Sequence, residues 1–163
     1  MDSKKITAVV LIVVGVLTAA WMKRYFSPEQ VVRRQMVGAV EAFENEQLLG
    51  VASVISRQYR DQWGQSYESI AGNISEIMAS FDEISMDLDI KEIGRVGHDV
   101  RVRLGFVVTG NDGDGSGYIV GSLTDPCTAT LLWSEEPQGW RLFTTEALDI
   151  PELRDELARM GAE

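Results

Sequence analysis

The chain has 163 residues, 45% hydrophobic and 25% charged, which suits one folded core with an appendage and argues against wholesale disorder. Its formal charge is −10; residues 1–24 carry +3, so the remaining 139 carry −13, a balance that repels phosphate backbones and argues against nucleic acid as a partner. A single cysteine excludes an intramolecular disulfide and any multi-cysteine zinc site, and a single histidine limits metal and triad chemistry.

The first element is an uncharged run from Ile6 to Met22, ITAVVLIVVGVLTAAWM, with no polar face. As a helix it reaches about 25 Å. A hydrocarbon core is about 30 Å thick, so the run is a short but sufficient span. Ile6, Val10, Val14 and Leu17 form the anchor, with Trp21, Lys23 and Arg24 at the headgroup layer. The expected divisions are a basic tail over 1–5, a transmembrane helix over 6–22 and a juxtamembrane linker over 23–26. The rival is a signal peptide cleaved at Thr18-Ala19-Ala20. Lys4 and Lys5 favour a cytoplasmic amino terminus, which places the main domain in the periplasm of a bacterial inner membrane. Lys23, Arg24, Arg33 and Arg34 pull the other way, toward a cytoplasmic domain. The partners implied are the lipid bilayer and integral membrane protein subunits.

The body reads as helices followed by a sheet. Ser27-Pro28-Glu29-Gln30 is a helix start, with Ser27 as cap, Pro28 at the first helical position and Gln30 completing a capping box. Val32, Met36, Val40 and Phe43 recur at helical spacing, and Asn45 ends the helix. A second helix is expected over 46–55 with Leu48, Leu49, Ala52 and Ile55 inward. A third is expected over 65–81, through Tyr67, Ile70, Ile74, Ile77, Met78 and Phe81.

After Asp82 the period changes to two. Ile84, Met86, Leu88 and Ile90 alternate with polar residues, as do Val100, Val102, Leu104, Phe106 and Val108, which predicts antiparallel strands with one buried face and a turn over 94–99. A glycine-rich loop over 111–117 leads to a third strand region over 118–133, bent near Asp125-Pro126. Pro137-Gln138-Gly139 turns into a fourth strand from Trp140, and Pro151 starts a short final helix over 150–163. The fold class is α+β, a transmembrane helix followed by helices packed on a curved antiparallel sheet.

The order of elements, together with the stretch Ser56-Arg57-Gln58-Tyr59-Arg60-Asp61-Gln62-Trp63-Gly64, resembles the nuclear transport factor 2-like superfamily, a cone-shaped α+β fold, over residues 27–149. That resemblance implies a curved sheet wrapped around the helices. The superfamily includes isomerase-like enzymes, dehydratases, small-ligand binders, structural adaptors and membrane-anchored assembly factors, so the fold alone does not choose a function.

Tyr59, Asp61, Trp63 and Tyr67 are the candidates for a ligand pocket, against the plainer reading that they pack the helices on the sheet. Asp112, Asp114 and Ser116 imitate the start of a calcium loop, but Leu123 stands where that loop needs a bidentate carboxylate; no cofactor is expected beyond this weak calcium candidate. His98 falls at a turn and Cys127 reads as a small buried residue. No catalytic residue is assigned. The expectation is a non-enzymatic, single-pass, membrane-anchored interaction module with little internal cavity, an accessory or assembly subunit of a membrane complex. The alternatives are a small hydrophobic ligand-binding domain or an isomerase/dehydratase-type enzyme.

Overall fold

The computed structural model describes residues 25–113 and 115–151, together with residues 12, 14, 15 and 18. The anchor expected over 6–22 and all but the first residue of the helix expected from Pro151 fall mainly outside this set; Val14 is the only named anchor position within it. Among the described residues no helix is long and apolar enough to cross a membrane.

Helix α1 (Pro28–Glu44) begins at the expected Ser27 cap, with the Ser27 half of the expected capping box formed. The Ser27 hydroxyl accepts from the Gln30 N–H at 3.4 Å, and Pro28 sits where no intrahelical donor is needed. Asn45 closes it, its side-chain amide donating to the Glu41 carbonyl at 2.6 Å. Helix α2 (Leu48–Ala52) is shorter than the expected 46–55. One short turn can bury one stripe only; Val51 and Ala52 take it, and Leu49, expected inward, is 85% exposed. Helix α3 (Tyr67–Ser80) starts at a reciprocal Ser66–Ser69 capping box.

Strands β1 (Asp82–Val96) and β2 (Asp99–Asn111) form a hairpin through a two-residue turn, tighter than the expected 94–99. Gly97 permits it at φ +65°, a conformation that favours glycine. The region 118–133 is two strands, not one bent strand. Strand β3 (Ser116–Val120) and strand β4 (Cys127–Glu136) lie along the same edge of β2, on Val108–Asn111 and Val100–Phe106 respectively. The break starts at Gly121, whose φ of +68° turns the chain out of the ladder. Pro137 and Gln138 then turn β4 into β5 (Gly139–Asp149).

The sheet order is β1-β2-β4-β5, with β3 also on β2. Residues 54–56 run beside β5, where Ser56 N–H donates to the Leu142 carbonyl at 2.9 Å and Leu142 N–H to the Val54 carbonyl at 2.8 Å. The core is dense at one end, where Val32 and Met36 of α1 meet Val100, Val102, Trp133 and Trp140. A second cluster gathers Ala42, Phe43, Val51, Ile84 and Val108, and a third gathers Ala52, Ile55, Tyr59 and Tyr67. The architecture is α+β, helices on one face of an antiparallel sheet.

Candidate functional site: a hollow between helices and sheet

The helices do not fill the concavity of the sheet. Register shifts at Ile90/Glu92, Thr130/Leu131 and Leu132/Trp133 are bulges that bend the strands. Between bent sheet and helices lies a cavity of about 1030 Å³. One wall comes from α1 through Met36, Ala39, Val40 and Phe43, and another from α3 through Ile70, Ile74 and Ile77. The sheet supplies Leu88, Leu104, Phe106, Leu131 and Trp133. None of the three α3 isoleucines is fully buried, as expected for side chains that face a void. The cavity reaches solvent, because Trp63 (47% exposed) and Leu148 (39% exposed) both line it. The expectation of little internal cavity is therefore corrected: apolar periodicities that read as core instead line a hollow.

Polar groups gather on one part of the wall. Tyr59 is 2% exposed, and its hydroxyl lies 2.8 Å from Thr145 Oγ1 and 3.2 Å from Asp61 Oδ2. With one proton, the phenol donates to one of these at a time, and the Thr145 hydroxyl can donate back. The other oxygen of Asp61, Oδ1, accepts from the Trp63 N–H at 3.0 Å and the Gln65 N–H at 2.9 Å. Asp61 thus folds its own loop while facing the cavity. Burial pushes the Tyr59 phenol above its ordinary value of 10.0, and the Asp61 charge adds to the rise against the Thr145 bond, so the phenol stays a donor at neutral pH. Gln65, Asn73 and Asp149 are the remaining polar side chains of the wall.

Of the four pocket candidates read from sequence, Tyr59, Asp61 and Trp63 line the cavity and Tyr67 does not. Tyr67 is buried against Ala52, Ile55 and Tyr59, with the Arg57 guanidinium 4.0 Å from its ring centre. It is the first residue of α3, so its side chain packs back on the preceding loop rather than down the helix wall.

The calcium candidate is split. Asp112 lies in the loop, Ser116 opens β3, and Asp114 falls outside the described residues. The loop is closed by its own residues, with Gly113 N–H donating to the side-chain Asn111 Oδ1 at 3.0 Å, and no cluster of three metal-ligating side chains occurs among the described residues. His98 is exposed at the β1–β2 turn, away from the cavity wall, and Cys127 is fully buried.

The aliphatic wall and Thr145 were missed as site residues. Their periodicity reports which way a side chain points, inward, and is blind to whether anything stands opposite it.

The sequence matches no protein-family model and no curated protein. Solved structures do match in shape. A nuclear transport factor 2-like superfamily protein from Salmonella enterica serovar Typhimurium is similar at 14% identity and TM-score 0.61, over 76% of this chain and 91% of that one. An NTF2-like protein with a cystatin-like fold from Novosphingobium aromaticivorans is similar at 14% identity and TM-score 0.62, over 82% and 88%. A candidate scytalone dehydratase from the same organism is similar at 12% identity and TM-score 0.61, over 73% and 80%. At these identities the likeness concerns backbone shape and not residue roles. The protein has the nuclear transport factor 2-like fold.

Proposed function

We propose that the domain binds a small hydrophobic molecule inside the cone. The observation that carries this reading is the apolar cavity of about 1030 Å³, open at Trp63 and Leu148 and bearing a few convergent polar groups. Ligand sites span about 300–1,000 Å³ and have this mixture of apolar wall and sparse polar groups. A fold neighbour described as a candidate dehydratase is compatible with a ligand-sized interior, and its chemistry is not carried over.

Binding without turnover is the better reading of the polar groups. Proton transfer needs an available acid or base beside the substrate. Asp61 accepts two backbone N–H bonds on Oδ1 and faces the Tyr59 hydroxyl with Oδ2, so the carboxylate is tied into holding the loop. The imidazole of His98 is at a hairpin tip.

The uncharged run over 6–22 sets this binding domain beside a bilayer in the same reading, with the domain exported and a cytoplasmic face as the alternative. The role of accessory subunit to integral membrane proteins is the weaker of the two expectations, since it gives no use to the cavity.

The test is binding of N-phenyl-1-naphthylamine, a neutral apolar fluorophore, to the full chain held in phosphatidylcholine nanodiscs, with empty nanodiscs subtracted. Saturable binding at one site, lost when Ala39→Trp is introduced into the wall, is expected. Signal no greater than that of empty nanodiscs, in a folded protein, overturns the proposal.

A further inference from the structure

Resting on the reading of the cavity as a ligand site, we infer that it selects against anions and takes a non-anionic amphiphile, one whose polar end is a hydroxyl or an ammonium. Among the described residues no Lys, Arg or His lines the cavity, while two carboxylates, Asp61 and Asp149, do. Arg57 and Arg60, which flank Tyr59 in the chain, are engaged elsewhere, as is Arg101. Arg57 lies over the Tyr67 ring, Arg60 donates to the Tyr59 carbonyl at 2.6 Å, and Arg101 makes a two-point pair with Glu146 at 2.7 and 2.9 Å.

An anionic head entering this space loses its water and finds no counter-charge on the wall among the described residues. It also meets the Asp61 carboxylate, held in place by two backbone donors. A hydroxyl or ammonium meets acceptors instead: Thr145 Oγ1 is a hydroxyl oxygen on the same wall, and Asp61 adds a negative charge. The body outside residues 1–24 carries −13, so the long-range field acts in the same direction on approach.

The experiment uses three ligands with one shared ring system: 2-naphthylmethanol, 2-naphthoate and 2-naphthylmethylammonium. Each is titrated calorimetrically at pH 7 into the full chain in phosphatidylcholine nanodiscs, with empty discs as blank. The alcohol and the ammonium should each bind at least about tenfold more tightly than the carboxylate. Asp61→Asn, which keeps an acceptor oxygen for the loop, should shrink the ammonium-to-carboxylate ratio severalfold, and Asp149→Asn serves as the second variant should the first not fold. A carboxylate that binds as tightly as the alcohol overturns the inference while leaving the site intact. Ratios unchanged in both folded variants also overturn it, because the carboxylates would then play no part. Failure of all three ligands overturns the ligand-site reading itself, and this inference with it.

Discussion

Tyr59 and Thr145 stand 86 residues apart in the chain, yet their side-chain oxygens meet at 2.8 Å and tie the loop after α2 to strand β5. The bond matters because both residues face the cavity, so it fixes one rim of the hollow. Tyr59→Phe keeps the ring in its packing and removes only the hydroxyl. It should cost about 1 kcal/mol, the usual net worth of such a bond. Urea denaturation of Tyr59→Phe, Thr145→Val and the double variant checks this. The double variant should lose less than the sum of the singles, and strict additivity would show that the two hydroxyls do not interact.

The same phenol gives the fold a pH dependence. Its folded value is raised above 10.0, chiefly by burial and further by the Asp61 charge. Below about pH 10 both folded and unfolded chains keep the phenol neutral. As pH rises past the unfolded value, the unfolded chain ionises first and is stabilised, so folding stability falls until the folded value is passed. Stability measured by denaturant at pH 9 and pH 11 should drop for the native chain. Tyr59→Phe should drop less, and an equal drop in both would show that the Tyr59 phenol is not the cause.

Most of the fold was legible because its signals are local. Ser27-Pro28 and Asn45 bound α1 as expected, and the change of period at Asp82 marks the passage from helix to strand. What sequence could not give was relative placement. Val120 and Cys127 lie seven residues apart along the chain, yet both join the same edge of β2, which no periodicity encodes. The hollow was illegible for a related reason. Ile70, Ile74 and Ile77 repeat as core residues do, and only bulges elsewhere in the sheet decide that they face space.

The hollow makes an unusual prediction about over-packing. Ala39 is the shortest side chain α1 presents to the cavity. Ala39→Trp should therefore leave stability within about 1 kcal/mol of the native chain, or raise it, because new apolar surface is buried without displacing neighbours. Val102→Phe, at a position with no solvent exposure and outside the cavity wall, should cost about 1–3 kcal/mol by crowding. Thermal melts of the two variants side by side decide the matter. Equal losses would mean that the interior is solid.

Ser56 anchors the segment that carries the polar wall. It is 1% exposed, donates to Glu136 Oε1 at 2.5 Å and accepts from the Gln58 N–H at 3.0 Å. Ser56→Ala removes both bonds and leaves the Gln58 N–H and a carboxylate oxygen of Glu136 short of a partner. The expected loss is about 1.5–3 kcal/mol, since one of the bonds is to a charged group. Urea denaturation measures it, and Ser56→Thr, which retains a hydroxyl, should recover part of the loss. Because residues 54–56 pair with β5 while Asp61 and Trp63 follow closely in the chain, Ser56→Ala should also weaken N-phenyl-1-naphthylamine binding. A loss of stability with unchanged affinity would show that the loop holds its shape without the Ser56 contacts.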